Sequence, residues 1–381
     1  MGELLKVGAL GMGNAGGNVA QAAAEQGFDA VALNASTNDL DNLSDKVAKF
    51  PIGDGRGTGK SRDDAKAFLE PQLGILEDIK MQNFIHTNDV IIIPTSIGGG
   101  FGSGASPLLA TKLSEKYPDK CIIPCGIFPF DSEGYTAQDH GVEWLKEVKE
   151  SGKFRYMLYD NNRFANLKAA EATTLINNEI VDFMRILRGD FTLLDITGGI
   201  DQRDIMTCIS PAGRIAGYVC AIEEADIDNG SIVQTIMRMI KEKSGLADLA
   251  TDKQILASAF QYSLHDNFRE YLPQIKGDIQ EICGSHLSDY SNFHDAADDE
   301  NTPDYVCIIM SGLSDPTVRI DKMINRRDKL SNDILTRKTA QSKLGQATAG
   351  DSRLKLTSAS FATGAASNKK VPVPNGAKES K

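Results

Sequence analysis

Two glycine-rich runs are the parts of this 381-residue sequence best suited to chemistry. The first, Gly11–Asn18, is G-M-G-N-A-G-G-N, and the second, Gly98–Gly104, holds five glycines in seven residues. Glycine has no Cβ, so the backbone N–H groups of such runs can approach a phosphate closely. The pattern therefore predicts that both runs bind phosphate through their backbone.

The first run alone leaves two classes of nucleotide open. Its first six residues fit G-x-G-x-x-G between a strand and a helix, which is typical of dinucleotide-dependent oxidoreductases. That fold has an acidic residue at the end of its second strand for the ribose, but here the strand ends in Asn34 and Asp29 precedes it. A dinucleotide-binding fold also does not need a second glycine-rich run after its third strand. Two opposed loops instead favour a mononucleotide with a polyphosphate chain.

The elements that must position these runs alternate between strands and helices. Apolar segments predict strands at Leu5–Leu10, Ala30–Leu33, Val90–Pro94, Cys121–Phe128 and Arg155–Tyr159. Other segments predict helices at Asn18–Gly27, Asn38–Val47, Asp63–Lys80, Pro107–Lys116 and Ala137–Glu150. We therefore expect an α/β domain with a Rossmann-like, mostly parallel sheet.

The rest of the chain predicts a second domain and a long C-terminal helix. Ala169–Leu187 lacks Gly and Pro and predicts a central helix that leads into an α+β domain. Pro316–Leu344 predicts one long helix with basic residues between the apolar ones. From Gly345 onward the composition predicts a disordered basic tail. The expected domains are 1–168, 169–195, 196–316, 317–344 and 345–381.

The charge of the chain is unevenly distributed. The net charge is −11, yet Val318–Lys381 holds 14 Lys and Arg against five Asp and Glu. A basic tail on an acidic body predicts that the tail binds an anionic partner or the acidic body of another copy of the chain. The alternative is a solvated terminus without a partner. No apolar run reaches the ~18–20 residues of a membrane span, and the six scattered cysteines complete no zinc set. We therefore expect a reduced, cytoplasmic protein without a signal peptide.

The order and spacing of the motifs resemble the tubulin/FtsZ family of GTPases from residue 7 to about residue 217. Gly11–Asn18 matches the family's first loop, and Gly98–Gly104 matches its G-G-G-T-G-S-G signature except at Phe101. Between them, Asn34-Ala35-Ser36 resembles the N-T-D loop and Gly55–Lys60 the third glycine loop. A threonine at position 101 would offer a hydroxyl that Phe101 lacks.

Three further sites resemble the family's ribose and base contacts. Pro129–Gly134 resembles the P-F-x-x-E-G segment, whose Glu reaches the ribose, which implies this role for Glu133. Asp160-Asn161-Asn162 resembles the D-N motif at a strand end, whose Asn contacts guanine. Asn177 in the following helix is the candidate for a second base contact.

The resemblance implies GTP or GDP as the cofactor, with Mg²⁺ carried on the phosphates and no separate metal site. The nucleotide-binding residues that it implies are Gly11, Gly13, Asn14, Ala15, Gly16, Gly17, Asn18, Asn34, Gly57, Gly98, Gly99, Gly100, Phe101, Gly102, Ser103, Gly104, Glu133, Asn161 and Asn177.

Hydrolysis requires a general base, and none lies among these nucleotide-binding motifs. Asp201 and Asp204 resemble the loop with which one family member completes the site of the next subunit in a filament. Two carboxylates three residues apart at a helix start can orient water for attack on a γ-phosphate. N-capping by Asp201 and solvation of Asp204 are the alternative. Gly199 replaces the family's Asn, which together with Phe101 leaves a non-hydrolysing structural filament open.

Within the family, the basic C-terminal helix is similar to that of TubZ proteins of plasmids and phages. The acidic-apolar terminal peptide of FtsZ is not visible. The resemblance implies head-to-tail filaments that segregate or position plasmid or phage DNA through a DNA-binding adaptor, without a membrane partner. An FtsZ-like division-ring protein and a phage tubulin that centres replicating DNA are the alternatives, and direct DNA contact is left open.

Overall fold

The computed structural model describes residues 5–190, 202–227, 230–249, 255–274, 277–278, 288–295 and 304–350. The chain divides into two compact units between Leu330 and Ser331. Within the described ranges, no helix is long and apolar enough to cross a membrane. The part of the predicted tail from residue 351 onward lies outside these ranges.

The first unit is built on a ten-stranded sheet. Its strands are β1 (Val7–Met12), β2 (Asp29–Asn34), β3 (Ala48–Pro51), β4 (Val90–Ser96), β5 (Cys121–Phe128), β6 (Arg155–Asp160), β7 (Gly213–Ala221), β8 (Ala257–Leu264), β9 (Ser288–Asp295) and β10 (Tyr305–Leu313). Their order across the sheet is β3-β2-β1-β4-β5-β6-β7-β10-β8-β9. Neighbours from β3 to β7 are parallel, and β10 is antiparallel to both β7 and β8.

Helices connect most of these strands. They are α1 (Gly13–Glu25), α2 (Thr37–Asp41), α3 (Arg62–Leu69), α4 (Ile79–Thr87), α5 (Phe101–Lys116), α6 (Tyr135–Glu150), α7 (Ala169–Arg188), α8 (Gln202–Cys208), α9 (Ile232–Lys243) and α10 (Thr317–Gly350). Parallel neighbours require such crossovers, because the chain must return to the same edge of the sheet. The carboxyl ends of β1 to β6 therefore share one edge, where open α/β sheets bind their ligands.

The hydrophobic core lies on both faces of the central strands. In β4, Ile91 and Ile93 belong to one buried cluster and Ile92 to the other, and all three side chains are 0% exposed. Successive side chains of a strand point to opposite faces. Because both faces are covered, the strand is continuously apolar and not alternating. The predicted fold class, with a parallel-sheet domain, a long central helix and further α and β structure, is confirmed.

Two predicted helices differ from the structure. The helix at Asn38–Val47 is wrong, because α2 is one short turn and the chain then forms β3 from Ala48. The single helix at Asp63–Lys80 is also wrong, because a 3₁₀ segment separates α3 from α4. Pro71 stands at the start of that segment, and the Asp78 side chain caps α4 by accepting from the Lys80 N–H at 2.8 Å. Both residues favour helix starts over helix interiors.

The first turn of α10 is attached to the sheet by a buried arginine. Arg319 is 5% exposed, and its Nε donates to Asp160 Oδ2 at 2.7 Å. Its Nη2 donates to the Pro129 carbonyl oxygen at 2.7 Å. The guanidinium also lies 4.8 Å from the centre of the Phe128 ring, within cation–π range. Arg319 therefore joins α10 to the carboxyl ends of β5 and β6.

We expect Arg319→Ala to lower the free energy of unfolding by about 3–5 kcal/mol, because it leaves the buried Asp160 carboxylate without its cation. Denaturant unfolding of the full chain measures the change. Arg327→Ala on the same helix is the control: its ion-pair partners Asp328 and Asp139 are 56% and 32% exposed, and pairs near the surface contribute about 0–1 kcal/mol. Equal losses in the two variants would contradict the anchoring role of Arg319.

Candidate phosphate-binding site

A cavity of about 380 Å³ lies at the carboxyl ends of β1, β2 and β4. Its lining comes from the three glycine-bearing loops, from the segment after β2, and from the end of β4. The lining residues are Met12, Gly13, Asn14, Ala15, Asn34, Ser36, Asp39, Gly57, Thr58, Lys60, Thr95, Ser96, Gly99, Gly100, Phe101 and Gly102. Nine of them are among the residues that the family resemblance implies for nucleotide binding, so the structure brings these nine together.

The first glycine run places the start of α1 at this cavity. Gly13 begins the helix with φ +71°, a conformation that glycine adopts without steric cost. No side chain caps this end of α1, and Gly13, Asn14 and Ala15 all line the cavity. The first N–H groups of a helix have no partner within the helix and favour anions. The start of α1 is therefore suited to bind a phosphate.

The other residues of the first run lie behind the cavity. A Cβ on Gly11 would lie 2.2 Å from the Gly16 carbonyl oxygen, and one on Gly16 would lie 2.1 Å from the Pro94 carbonyl oxygen. These two glycines are therefore required for α1 to pack on β1 and β4. Gly17 is buried and Asn18 is exposed, and neither lines the cavity. Nucleotide contact by these four residues stays a prediction.

The second glycine run places the start of α5 against the start of α1. A Cβ on Gly13 would lie 3.2 Å from the Gly102 backbone nitrogen. A Cβ on Gly102 would lie 2.0 Å from Thr95 Oγ1 and 2.5 Å from the Met12 carbonyl oxygen. Only backbone fits between the two helix starts, and both of them line the same cavity.

Buried side chains hold the second run from behind. Ser103 Oγ donates to the Gly99 and Gly100 carbonyl oxygens, and His140 Nδ1 lies 2.6 Å from that same Gly99 oxygen. Arg62 donates to the Ser103 carbonyl oxygen at 2.7 Å. Burial is the main cause that lowers the pKa of His140, with the nearby Arg62 charge contributing. The neutral His140 ring therefore carries its proton on Nδ1, because a carbonyl oxygen can only accept a hydrogen bond. The Ser103 hydroxyl is used by the two carbonyl oxygens, and Ser103 does not line the cavity.

Phe101 and the two outer glycines of the run have packing roles. Phe101 lines the cavity but is only 5% exposed and belongs to the core cluster on that face of the sheet. A Cβ on Gly98 would lie 2.9 Å from Pro129 Cβ, and one on Gly104 would lie 2.5 Å from the Arg62 carbonyl oxygen. A threonine in place of Phe101 would therefore leave a void as well as add a hydroxyl.

Seven lining residues were not assigned to nucleotide binding from the sequence, and Asp39, Lys60 and Thr95 are among them. Asp39 Oδ2 accepts from Asn34 Nδ2 at 3.0 Å, and Thr95 Oγ1 donates to the Met12 carbonyl oxygen at 3.1 Å. One signal could have found Asp39. The family's N-T-D loop has its acid where this chain has Ser36, and Asp39 lies three residues further on, on the same face of a helical turn.

The predicted ribose and base contacts lie outside this cavity. Glu133 follows β5, and its Oε1 accepts from the Phe130 N–H at 2.9 Å. Asn161 begins the 3₁₀ turn Asn161–Phe164 directly after β6. Both therefore lie along the same carboxyl edge of the sheet, on the β5–β6 side. The structure does not bring them into contact with the phosphate loops, and their roles stay predictions.

Asn177 is placed on the central helix α7. It is 8% exposed, and its Oδ1 has no hydrogen-bond partner among the described residues. Two residues further on, Glu179 accepts from Ser244 Oγ at 2.6 Å and from the Gly245 N–H at 2.7 Å. Burial raises the pKa of Glu179 to about 7. Because the Gly245 carbonyl in turn accepts from the Asp160 N–H at 2.8 Å, this loop joins α7 to the end of β6.

Of the two predicted hydrolytic carboxylates, the structure describes only Asp204. Asp201 and Gly199 lie outside the described residues. Asp204 is in the first turn of α8, is partly exposed, and does not line the cavity. Among the described lining residues, Asp39 is the one carboxylate and Lys60 the one cation.

We expect Gly102→Ala to abolish nucleotide binding and to destabilise the fold by about 1–3 kcal/mol, the usual range for an overpacked core. The added methyl would collide with the Thr95 side chain and the Met12 carbonyl. Titration calorimetry with GTP and denaturant unfolding measure the two effects.

Gly74→Ala is the matched control for this substitution. No atom lies within 4 Å of a Cβ at Gly74, so we expect wild-type stability and binding. Normal binding by Gly102→Ala would show that the two helix starts tolerate a wider separation than the structure has.

An α/β sheet with two glycine-lined helix starts at its carboxyl edge is typical of proteins that bind a nucleotide through its phosphates. Residues 6–168 match the tubulin/FtsZ family, GTPase domain. The family recognition and the prediction of a GTPase are thereby confirmed, and the dinucleotide-dependent oxidoreductase is set aside.

Individual relatives support this assignment. The chain is 27% identical over 264 residues to the tubulin-like protein CetZ of Methanothrix thermoacetophila, covering 63% of this chain and 70% of that protein. The GTPγS-bound protofilament of CetZ2 from Haloferax volcanii has a similar fold, with a TM-score of 0.69 and 21% identity over 87% of this chain and 99% of that one. TubZ of Clostridium botulinum phage c-st has a TM-score of 0.66 and 18% identity, over 86% and 98% of the two chains.

Proposed function

We propose that this chain binds GTP and polymerises head to tail, and that hydrolysis takes place where two subunits meet. The observation that carries the proposal is the cavity between the starts of α1 and α5, which offers backbone N–H donors but, among the described lining residues, one carboxylate, Asp39. Such donors bind a polyphosphate chain. The CetZ2 relative is a protofilament with GTPγS bound, which supports the same nucleotide and the same kind of assembly here.

The residues outside the cavity fit a nucleotide stretched along the sheet edge. Glu133 and Asn161 follow β5 and β6, so the ribose and base lie on that side and the phosphates on the β1–β4 side. The unpartnered Oδ1 of Asn177 is a buried acceptor that can pair with the amino group of guanine. Buried acceptors without a partner are costly, so a bound base would remove that cost.

The phosphate site also fits the Mg²⁺ that nucleotides carry. Mg²⁺ prefers oxygen ligands and is usually held by one or two carboxylates together with substrate phosphates. Asp39 lines the cavity, and only its Oδ2 is engaged, by Asn34 Nδ2. Asp39 is therefore the residue that would hold the ion, which when bound neutralises phosphate charge.

Hydrolysis needs a group that orients the attacking water, and Asp39 is the one carboxylate that lines the cavity in the described part of the chain. Asp201 and Asp204 supply this group to the neighbouring subunit in our proposal. Asp204 is partly exposed at the start of α8, where it is accessible to a second copy. A head-to-tail contact of this kind repeats along the chain and gives a filament where the rotation does not close. In this proposal assembly and turnover are coupled, because each site receives its hydrolytic carboxylates from the neighbouring subunit.

We expect Asp204→Asn and Asp201→Asn to assemble with GTP but to release phosphate at least about 100-fold more slowly, the usual contribution of a positioned acid or base. Pelleting and phosphate release are measured together with GTP, GDP and GTPγS, and rates are divided by polymer mass. Arg203→Ala, an exposed neighbour of Asp204, should keep the rate per polymer.

Three results would each contradict part of this mechanism. Wild-type rates of phosphate release in both Asp variants would show that Asp201 and Asp204 have no role in hydrolysis. Equal assembly with GTP, GDP and GTPγS would show that assembly is not coupled to GTP turnover. Wild-type filaments without phosphate release would instead favour the non-hydrolysing filament.

We further propose that the filaments segregate or position plasmid or phage DNA through an adaptor that binds the basic C-terminal region. The support is the excess of nine positive charges in Val318–Lys381 on a chain whose net charge is −11. A long basic segment on an acidic body favours anionic partners such as DNA or a DNA-bound protein. The fold is shared with TubZ of a phage.

We expect a chain that ends at Gly350 to form filaments with GTP in the host cell while the host loses its extrachromosomal DNA at each division. Plasmid or prophage retention over generations and fluorescence imaging of the filaments measure this outcome. Full retention would remove the cargo role of the tail, and undivided cells would favour the division-ring alternative.

A further inference from the structure

Lys60 stands in a backbone conformation that lysine rarely adopts. Its φ is +64°, and among the described residues no other non-glycine residue has a positive φ. Such a conformation is strained for a residue with a Cβ. Three glycines of the same loop, Gly55, Gly57 and Gly59, also have positive φ. Glycine would meet the same requirement at position 60 without strain, so the lysine side chain is placed there against a local preference.

The backbone on both sides of Lys60 is fixed. A Cβ on Gly100 would lie 2.6 Å from Lys60 Cα and 2.6 Å from Thr58 Oγ1, so this loop packs directly on the second glycine run. The next residue, Ser61, donates its N–H to the Thr58 carbonyl at 2.8 Å. Its side chain then caps α3 by accepting from the Asp64 N–H at 3.0 Å. The loop thus holds Lys60 at the wall of the phosphate cavity.

The charge of Lys60 is not used elsewhere within the described part of the chain. Its ammonium has no hydrogen bond or ion pair there, and it is the one cation among the described residues that line the cavity. A triphosphate is highly anionic, and the protein as a whole carries a net charge of −11. Backbone N–H groups supply only partial charges. A full positive charge at this wall therefore attracts an anion in the cavity more strongly than a single backbone N–H group does.

The strand order shows which phosphate meets Lys60. Glu133 and Asn161 follow β5 and β6, whereas Gly57–Lys60 follows β3, and the sheet order is β3-β2-β1-β4-β5-β6. A nucleotide with its base at β6 therefore extends past the helix starts at β4 and β1 toward β2 and β3. Its terminal phosphate is the part that reaches the Lys60 side of the cavity.

We propose that Lys60 forms a direct ionic contact with the terminal phosphate and so makes the site prefer GTP over GDP. This inference rests on the proposed GTP-binding function. It assigns the discrimination between the two nucleotide states to one side chain, whereas the glycine loops bind the phosphates that GTP and GDP share.

The test compares the affinities of GTPγS and GDP in charge and backbone variants of the full chain. Lys60→Asn removes the charge and keeps a residue that tolerates positive φ, and Lys60→Gly removes charge and strain together. We expect both to bind GTPγS about 10- to 100-fold more weakly, the range for a hydrogen bond to a charged group. GDP affinity should change less than threefold. Lys60→Arg should keep the preference for GTPγS.

Arg56→Ala is the matched control, because Arg56 is an exposed cation of the same loop that does not line the cavity. It should leave both affinities unchanged, and thermal unfolding of each variant confirms that it folds. Equal weakening of GTPγS and GDP in Lys60→Asn, or wild-type GTPγS affinity in Lys60→Gly, would overturn the role of Lys60. Failure of the wild-type chain to bind either nucleotide would instead overturn the proposed function.

Discussion

The close approach of two helix starts is the constraint on which the rest of this structure depends. α1 and α5 begin where β1 and β4 end, and no Cβ fits on Gly102 between the Met12 carbonyl and the Thr95 side chain. Two helix starts that meet in this way place their free N–H groups around one cavity. The cost of such an arrangement is glycine in helical first turns, and an anion bound by these N–H groups would offset part of it.

The same constraint explains how much of the fold could be predicted from the sequence. The central strands are apolar runs covered on both faces, so their positions along the chain can be predicted from the sequence. The starts of α1 and α5 were expected after the glycines, because glycine is a poor helix former, but both helices begin within the glycine runs. Tertiary packing determined these starts. β3 was missed because its four residues pair only with β2.

Predictability of the site follows a similar division. Residues that act through their backbone, such as Gly13 and Gly99, have a sequence signature, because the close approach excludes other residue types. Side chains that reach the cavity from separate loops have weaker signals, since their positions depend on how those loops pack. Asp39 has only its spacing from Ser36, and Lys60 has none. Ser103 illustrates the reverse error, because a hydroxyl in the right segment is used to hold the Gly99 carbonyl.

A network of buried contacts behind the cavity joins the edge of the sheet to α3, α6, α7 and α10. The Gly99 carbonyl is held by His140 of α6, and Arg62 of α3 joins the Ser103 carbonyl to Glu147 of α6. At the base side, Asp160 is bonded both to Arg319 of α10 and to the loop that Glu179 holds on α7. A bound nucleotide that fixes both ends of this edge therefore also restricts the root of α10 and the central helix.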